Sequence, residues 1–191
     1  KIDPATAEAS IVVSPGGDNP YGYRGPVLIE VRDEDSEPDY IDEFTGQAKD
    51  LDTVIRAMFN VTGPGAIDVT VSPLTELAVS KYFEVNGDDA VLDSALVEQF
   101  NAGIGAIFGL DDITATTPVV TNAAVVTEAT GLELDTFVDD GILTAAEKYG
   151  QVLAMLSARD AINNGKVADT LAELAEQIVV TDSNEIAIKQ A

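Results

Sequence analysis

Between Asp68 and Val85, in the stretch DVTVSPLTELAVSKYFEV, the spacing of apolar residues changes from two to three and four. Val69 and Val71 alternate with Thr70 and Ser72, the period of a strand. Leu74, Leu77, Ala78 and Tyr82 then recur at helical spacing. Ser72 stands before them as an N-cap, and Pro73 takes the first helical position, where a missing N–H costs nothing. Upstream of this junction the pattern predicts strands and turns; downstream it predicts helices.

Upstream, Ser10–Ser14 (SIVVS) reads as a short strand, closed by Pro15 and two glycines. A turn-rich loop, Gly16 to Pro26, carries Tyr21, Tyr23 and Arg24. Those three side chains either form a recognition surface or lid the end of the sheet. Val27–Val31 is a strand. The block Arg32–Gly46 alternates Asp33, Asp35, Glu37 and Asp39, with Asp42 and Glu43 close behind. Such oxygen density suits Ca²⁺, while the alternative is a solvated acidic hairpin turned by Phe44-Thr45-Gly46. The EF-hand pattern fails, because Pro38 replaces its sharp-turn glycine and Phe44 its bidentate Glu. Leu51–Val61 fits either period; the Gly63-Pro64-Gly65 turn favours a strand over Arg56–Val61, paired with a second over Ala66–Val71.

Downstream, helices are expected over Pro73 to Phe83, from an Asp88 or Asp89 cap to Gly109, over Ala145 to Ala161, and over Val167 to Val179. Thr144 with Glu147 is a capping box. Ala123–Ala129 fits a short helix or a strand. A second acidic cluster holds Glu133, Asp135, Asp139 and Asp140. Ile186 and Ile188 alternate in the tail, which either returns to the sheet or is linker. Residues 1–9 read as a linker from something longer, 10–72 as a β-rich half, 73–180 as a helical half sharing its core, and 181–191 as tail or returning strand. The expected fold is α+β: an N-terminal antiparallel Ig-like or sandwich sheet packed on a C-terminal helical bundle.

Composition narrows the chemistry. A net charge of −24 opposes nucleic acid and anionic membrane surfaces, and makes the compact state repel itself unless cations offset it. The absence of Cys and His excludes disulfides, thiolate nucleophiles, Ser-His-Asp triads and the usual zinc sites. No run of about 18 apolar residues marks a membrane-spanning helix. A glycosidase needs only two carboxylates, but nothing singles out one pair among 34 acidic residues. No phosphate loop exists, and Ser80 and Lys81 are neighbours that point to different helix faces. No enzyme and no organic cofactor is expected.

The segments GYRGPVLIEVRD, DEFTGQAKDLDTVIRA, VTVSPLTELAV, FNAGIGAIFGLDDI and EKYGQVLAMLSARDA, in this order, resemble a module of very large secreted bacterial surface proteins. These are the long RTX-type adhesins and related Ig-repeat proteins of Gram-negative bacteria. The resemblance covers roughly Ser10 to Val179, and its motifs are packing signatures; the RTX repeat GGxGxD is absent. It implies an extracellular, non-catalytic scaffold at the cell surface that presents ligand-binding domains of the same adhesin. The alternative is a module that itself binds a glycan or peptide on a host or other cell through Tyr21, Tyr23 and Arg24, with Ca²⁺ held by Asp33, Asp35, Glu37, Asp39, Asp139 and Asp140. Self-association is a further expectation, opposed by the charge.

Overall fold

A computed structural model describes residues 22–35, 37–42, 44–120, 141–163 and 165–189. Its elements run β1 (Gly25–Val31), β2 (Tyr40–Ile41), β3 (Ala48–Lys49), β4 (Ile55–Val61), α1 (Pro73–Asn86) and α2 (Ser94–Phe108). They continue with α3 (Ala145–Ile162), α4 (Val167–Gln177), β5 (Ile178–Val180) and β6 (Ile186–Ile188). The fold is α+β, with helices and small antiparallel sheets sharing one apolar core. Met58 of β4, Leu74, Leu77 and Tyr82 of α1, Phe100 and Ile104 of α2, Ile113, and Tyr149 of α3 are fully buried together.

Each described strand pairs with one other: β1 with β4, β2 with β3, β5 with β6, all antiparallel. The expected Ig-like sandwich is therefore replaced, among the described residues, by separate two-stranded ribbons. The reason lies at the edge of β4. In an antiparallel pair, alternate residues aim their backbone groups away from the partner strand. Arg56 N–H faces away from β1 and is taken by Glu76 Oε2 of α1 at 2.8 Å. Met58 C=O likewise accepts from Asn101 Nδ2 of α2 at 2.7 Å. Helical side chains thus occupy the edge on which another strand would grow.

The same capping overturns the predicted pairing of Arg56–Val61 with Ala66–Val71. β4 pairs instead with β1, in the register Gly25↔Val61 to Val31↔Ile55. Ala66–Val71 is not a strand; Thr70 donates its N–H to Thr114 C=O and its hydroxyl to Thr116 C=O, at 2.7 and 2.9 Å. The switch at Ser72 is as expected. Its hydroxyl accepts from the N–H groups of Leu74 and Thr75, and the Thr75 side chain completes a capping box.

α2 starts later than expected, with Asp93 rather than Asp88 or Asp89 as its cap. The Tyr82 hydroxyl explains the delay: it donates to Val91 C=O at 3.0 Å and accepts Asp93 N–H at 2.9 Å, holding residues 91–93 outside the helix. Gly109 ends α2 at φ 70, as a left-handed C-cap should. Thr144 and Glu147 form the predicted capping box of α3. α4 stops at Gln177, and the tail does return, pairing β6 with β5 rather than with the N-terminal sheet. Ser10–Ser14, Ala123–Ala129 and the Glu133–Asp140 cluster lie outside the described residues.

Candidate functional site

Of the predicted recognition residues, Tyr21 lies outside the described residues. Tyr23 folds back, donating its hydroxyl to Pro26 C=O at 2.8 Å. Arg24 donates to Thr62 C=O, tying the loop to the far end of β4. Both side chains are exposed, yet each serves to close the β1–β4 ribbon.

Of the predicted calcium ligands, Asp33, Asp35 and Asp39 each accept a backbone amide. Asp33 Oδ1 accepts Asp35 N–H at 2.8 Å, and Asp35 Oδ1 accepts Glu37 N–H at 2.9 Å, so each carboxylate caps its own turn. Asp39 Oδ2 accepts Leu51 N–H at 2.9 Å, beyond the hairpin. Among the described residues no three acidic side chains converge as metal ligands. Asp139 and Asp140 lie outside the described residues. A hairpin does form in the block, with β2 and β3 as its arms and Phe44, Thr45 and Gly46 in its turn, but Asp42 within it is buried rather than solvated.

The concentrated polar chemistry sits at three buried junctions. At the first, Asp42 is 1% exposed. It accepts from Thr45 N–H at 2.7 Å, the Thr45 hydroxyl at 2.5 Å, and Lys49 Nζ and the Ser157 hydroxyl at 2.8 Å each. Ser157 also accepts Phe44 N–H at 3.1 Å, so this carboxylate and this hydroxyl clamp the hairpin onto α3. Burial alone would raise the Asp42 carboxyl, but the bonds from Lys49, Thr45 and Ser157 outweigh it and hold the group below the usual carboxylate range. Asp160, one turn along α3, is also buried, and its Oδ1 has no hydrogen-bond partner among the described residues. Burial pushes its carboxyl upward, Asp42 and Asp52 add to that, and Thr170 and Lys49 oppose it.

At the second junction Glu76 receives Arg56 in a fork, Nε at 3.0 Å and Nη2 at 2.6 Å, besides the Arg56 N–H. The Ser80 hydroxyl donates to the same carboxylate at 2.7 Å. The bonds it donates to Glu76 hold the guanidinium firmly charged against the opposing effect of burial, and the Phe83 ring lies 5.9 Å beneath it. At the third, the Tyr149 hydroxyl donates to Ile113 C=O at 2.9 Å. Its contact with Ser72 Oγ at 2.6 Å therefore has the serine as donor. Burial pushes the phenol up to about 12, so it remains a donor at neutral pH.

No protein-family model, no curated protein and no solved structure matches this chain. What the junctions can do chemically is limited by their own bonding. A cleft of about 180 Å³ between α1 and α4 is lined by Thr53, Glu76, Ser80, Leu77 and Leu171. It is smaller than the roughly 300–1,000 Å³ typical of ligand pockets. Both Glu76 oxygens and the Ser80 hydroxyl, its most reactive groups, are already engaged. The Ser80 and Lys81 side chains go to different partners, Lys81 donating to Glu84 at 2.7 Å. Glu76 and Asp160 escaped the sequence reading, although one signal was present: Asp160 continues the stripe Val152, Leu156 at a spacing of four. An acidic residue at a core position marks a buried junction.

Proposed function

We propose that this chain is a non-catalytic scaffold module and, from the resemblance of its packing motifs, that it belongs to a large secreted adhesin of a bacterial surface. One observation supports the scaffold role above the others. The side chains with the greatest chemical capacity are committed to joining elements that lie far apart in sequence: Asp42 with Ser157, Arg56 with Glu76, and Ser72 with Tyr149 and Ile113. Such bonding fixes relative geometry, which is what presenting a neighbouring domain requires. In this reading the acidic exterior keeps the module soluble and apart from its copies. A glycan array probed with the labelled chain, beside a panel of chromogenic glycosides, tests the role. No retained glycan and no turnover are expected. A specific glycan signal lost in Tyr23→Ala would overturn the scaffold in favour of direct recognition. Turnover lost on replacing one carboxylate would make the protein a hydrolase.

A further inference from the structure

We infer that the outer edge of β1 is a docking strand for an extended cationic peptide segment of another polypeptide. The register decides which groups face outward. Arg56 and Met58 point their backbone groups away from β1 and lie opposite Glu30 and Leu28, so Leu28 and Glu30 point theirs away from β4. Pro26 fits the same phase, since it has no N–H to offer and its carbonyl is taken by Tyr23 from outside the ribbon. The two edges then differ. That of β4 is capped by helical side chains, whereas among the described residues nothing bonds the outward N–H and C=O groups of Leu28 and Glu30. Pro26 and Tyr23 close the edge at one end, leaving a short stretch that can accept a strand by main-chain bonding.

Charge selects the occupant. Glu30 is exposed at the open stretch, its carboxylate shared with Arg32, and Asp33, Glu34, Asp35, Glu37 and Asp39 follow it as the acidic surplus. Val27, Ile29 and Val31, each half-buried, share the opposite face of the strand. A segment alternating apolar and Lys or Arg residues matches both faces, whereas a second copy of this chain brings another −24 charges. Docking here does not depend on whether the chain sits in an adhesin.

The experiment is amide hydrogen exchange by NMR on the whole chain, alone and with a synthetic octapeptide alternating valine and lysine. Alone, the amides of Leu28 and Glu30 are expected to exchange faster than those of Val27, Ile29 and Val31. With the peptide they should slow by about tenfold or more. The same peptide N-methylated on its edge-facing amides, and one with glutamate for lysine, should give no such protection. Glu30→Lys should weaken the effect while leaving the exchange of Ile29 unchanged. Equal protection by the N-methylated peptide would reduce the interaction to charge attraction and overturn the proposal. Protection in the chain alone that grows with its concentration would assign the edge to a second copy, and would overturn it too.

Discussion

Two residues carry most of the consequence of the buried relay. In Tyr149→Phe the Ile113 carbonyl loses its donor and the Ser72 hydroxyl its acceptor, inside the core. The expected loss is about 1–3 kcal/mol, the penalty of stranding buried polar groups. Ser72→Ala removes the cap of α1 as well, at about 1 kcal/mol. Because the two share a bond, chemical denaturation of both single variants and the double should show coupling above about 0.5 kcal/mol. Strict additivity would dissolve the relay into two separate contacts. Asp42 and Asp160 make a second pair, with opposite signs. Asp42 titrates below its unfolded value, so its stabilisation is present at neutral pH and lost as pH falls through the depressed folded value. Asp160 titrates above its unfolded value, so its charge works against folding at pH 7. Asp160→Asn should raise the unfolding midpoint at pH 7, with a gain that shrinks as pH falls through the raised folded value and vanishes below about 3.9. Asp42→Asn should lower the midpoint at pH 7. Midpoints of both variants followed from pH 3 to 8 check the two slopes.

At the scale of elements, the C-terminal hairpin is held by a missing side chain. A Cβ at Gly103 of α2 would lie 2.8 Å from Ile186 Cβ of β6, too close for either to remain in place. Helix propensity alone favours alanine there by about 1 kcal/mol, while a forced shift of a packed element costs about 1–3. Gly103→Ala should therefore destabilise the full chain yet stabilise a chain ending at residue 181, where β6 is gone. Denaturation of the four proteins reads the reversal of sign, and its absence would mean that the hairpin does not press on α2. The same element shows why parts of the fold were legible and others were not. Caps, stripes and the Gly109 stop are local, so α1, α3 and the end of α2 follow from their own residues. The tail's alternation revealed a strand, but its partner was created only when Ile178–Val180 left the helical pattern. The strand pairing was misjudged for a related cause. A turn at Gly63 to Gly65 suggests a hairpin locally, but Glu76 and Asn101, remote in sequence, cap the edge that hairpin needed. In the candidate sites, the acidic alternation predicted a hairpin and a cation site with equal economy. Only the three-dimensional course of the loop shows Asp33 and Asp35 turned to nearby backbone amides and Asp39 and Asp42 tied to residues farther away.

For the molecule as a whole, charge sets the response to ions. With −24 charges and the described acidic side chains not gathered into a three-ligand group, the carboxylates should feel cations mainly as screening. The unfolding midpoint is expected to rise with salt, and to rise equally with millimolar Ca²⁺ and Mg²⁺ at matched ionic strength. A gain specific to Ca²⁺ would restore a defined site and the calcium-dependent reading with it.

Two polar bonds, the Asp42–Ser157 clamp among them, span unusual lengths of chain. Ser157 reaches Asp42 across 115 residues, and Ala168 N–H reaches Asp52 across 116 at 3.3 Å. The latter gives α4 the cap that Lys166 does not provide. The pairing of β1 with β4 and of β2 with β3, and the packing of α1 on β4 and α2, by contrast, lie wholly within residues 25–108. Closing a long loop is entropically the slower event, so the order of assembly is set by these separations. A nascent chain can organise its first ribbon and helix pair while α4 is still unmade, and α4 then arrives to a cap already waiting in the folded part. Pulse-labelled amides of α1 and β4 should become protected before that of Ala168; simultaneous protection would show that the chain closes in one step.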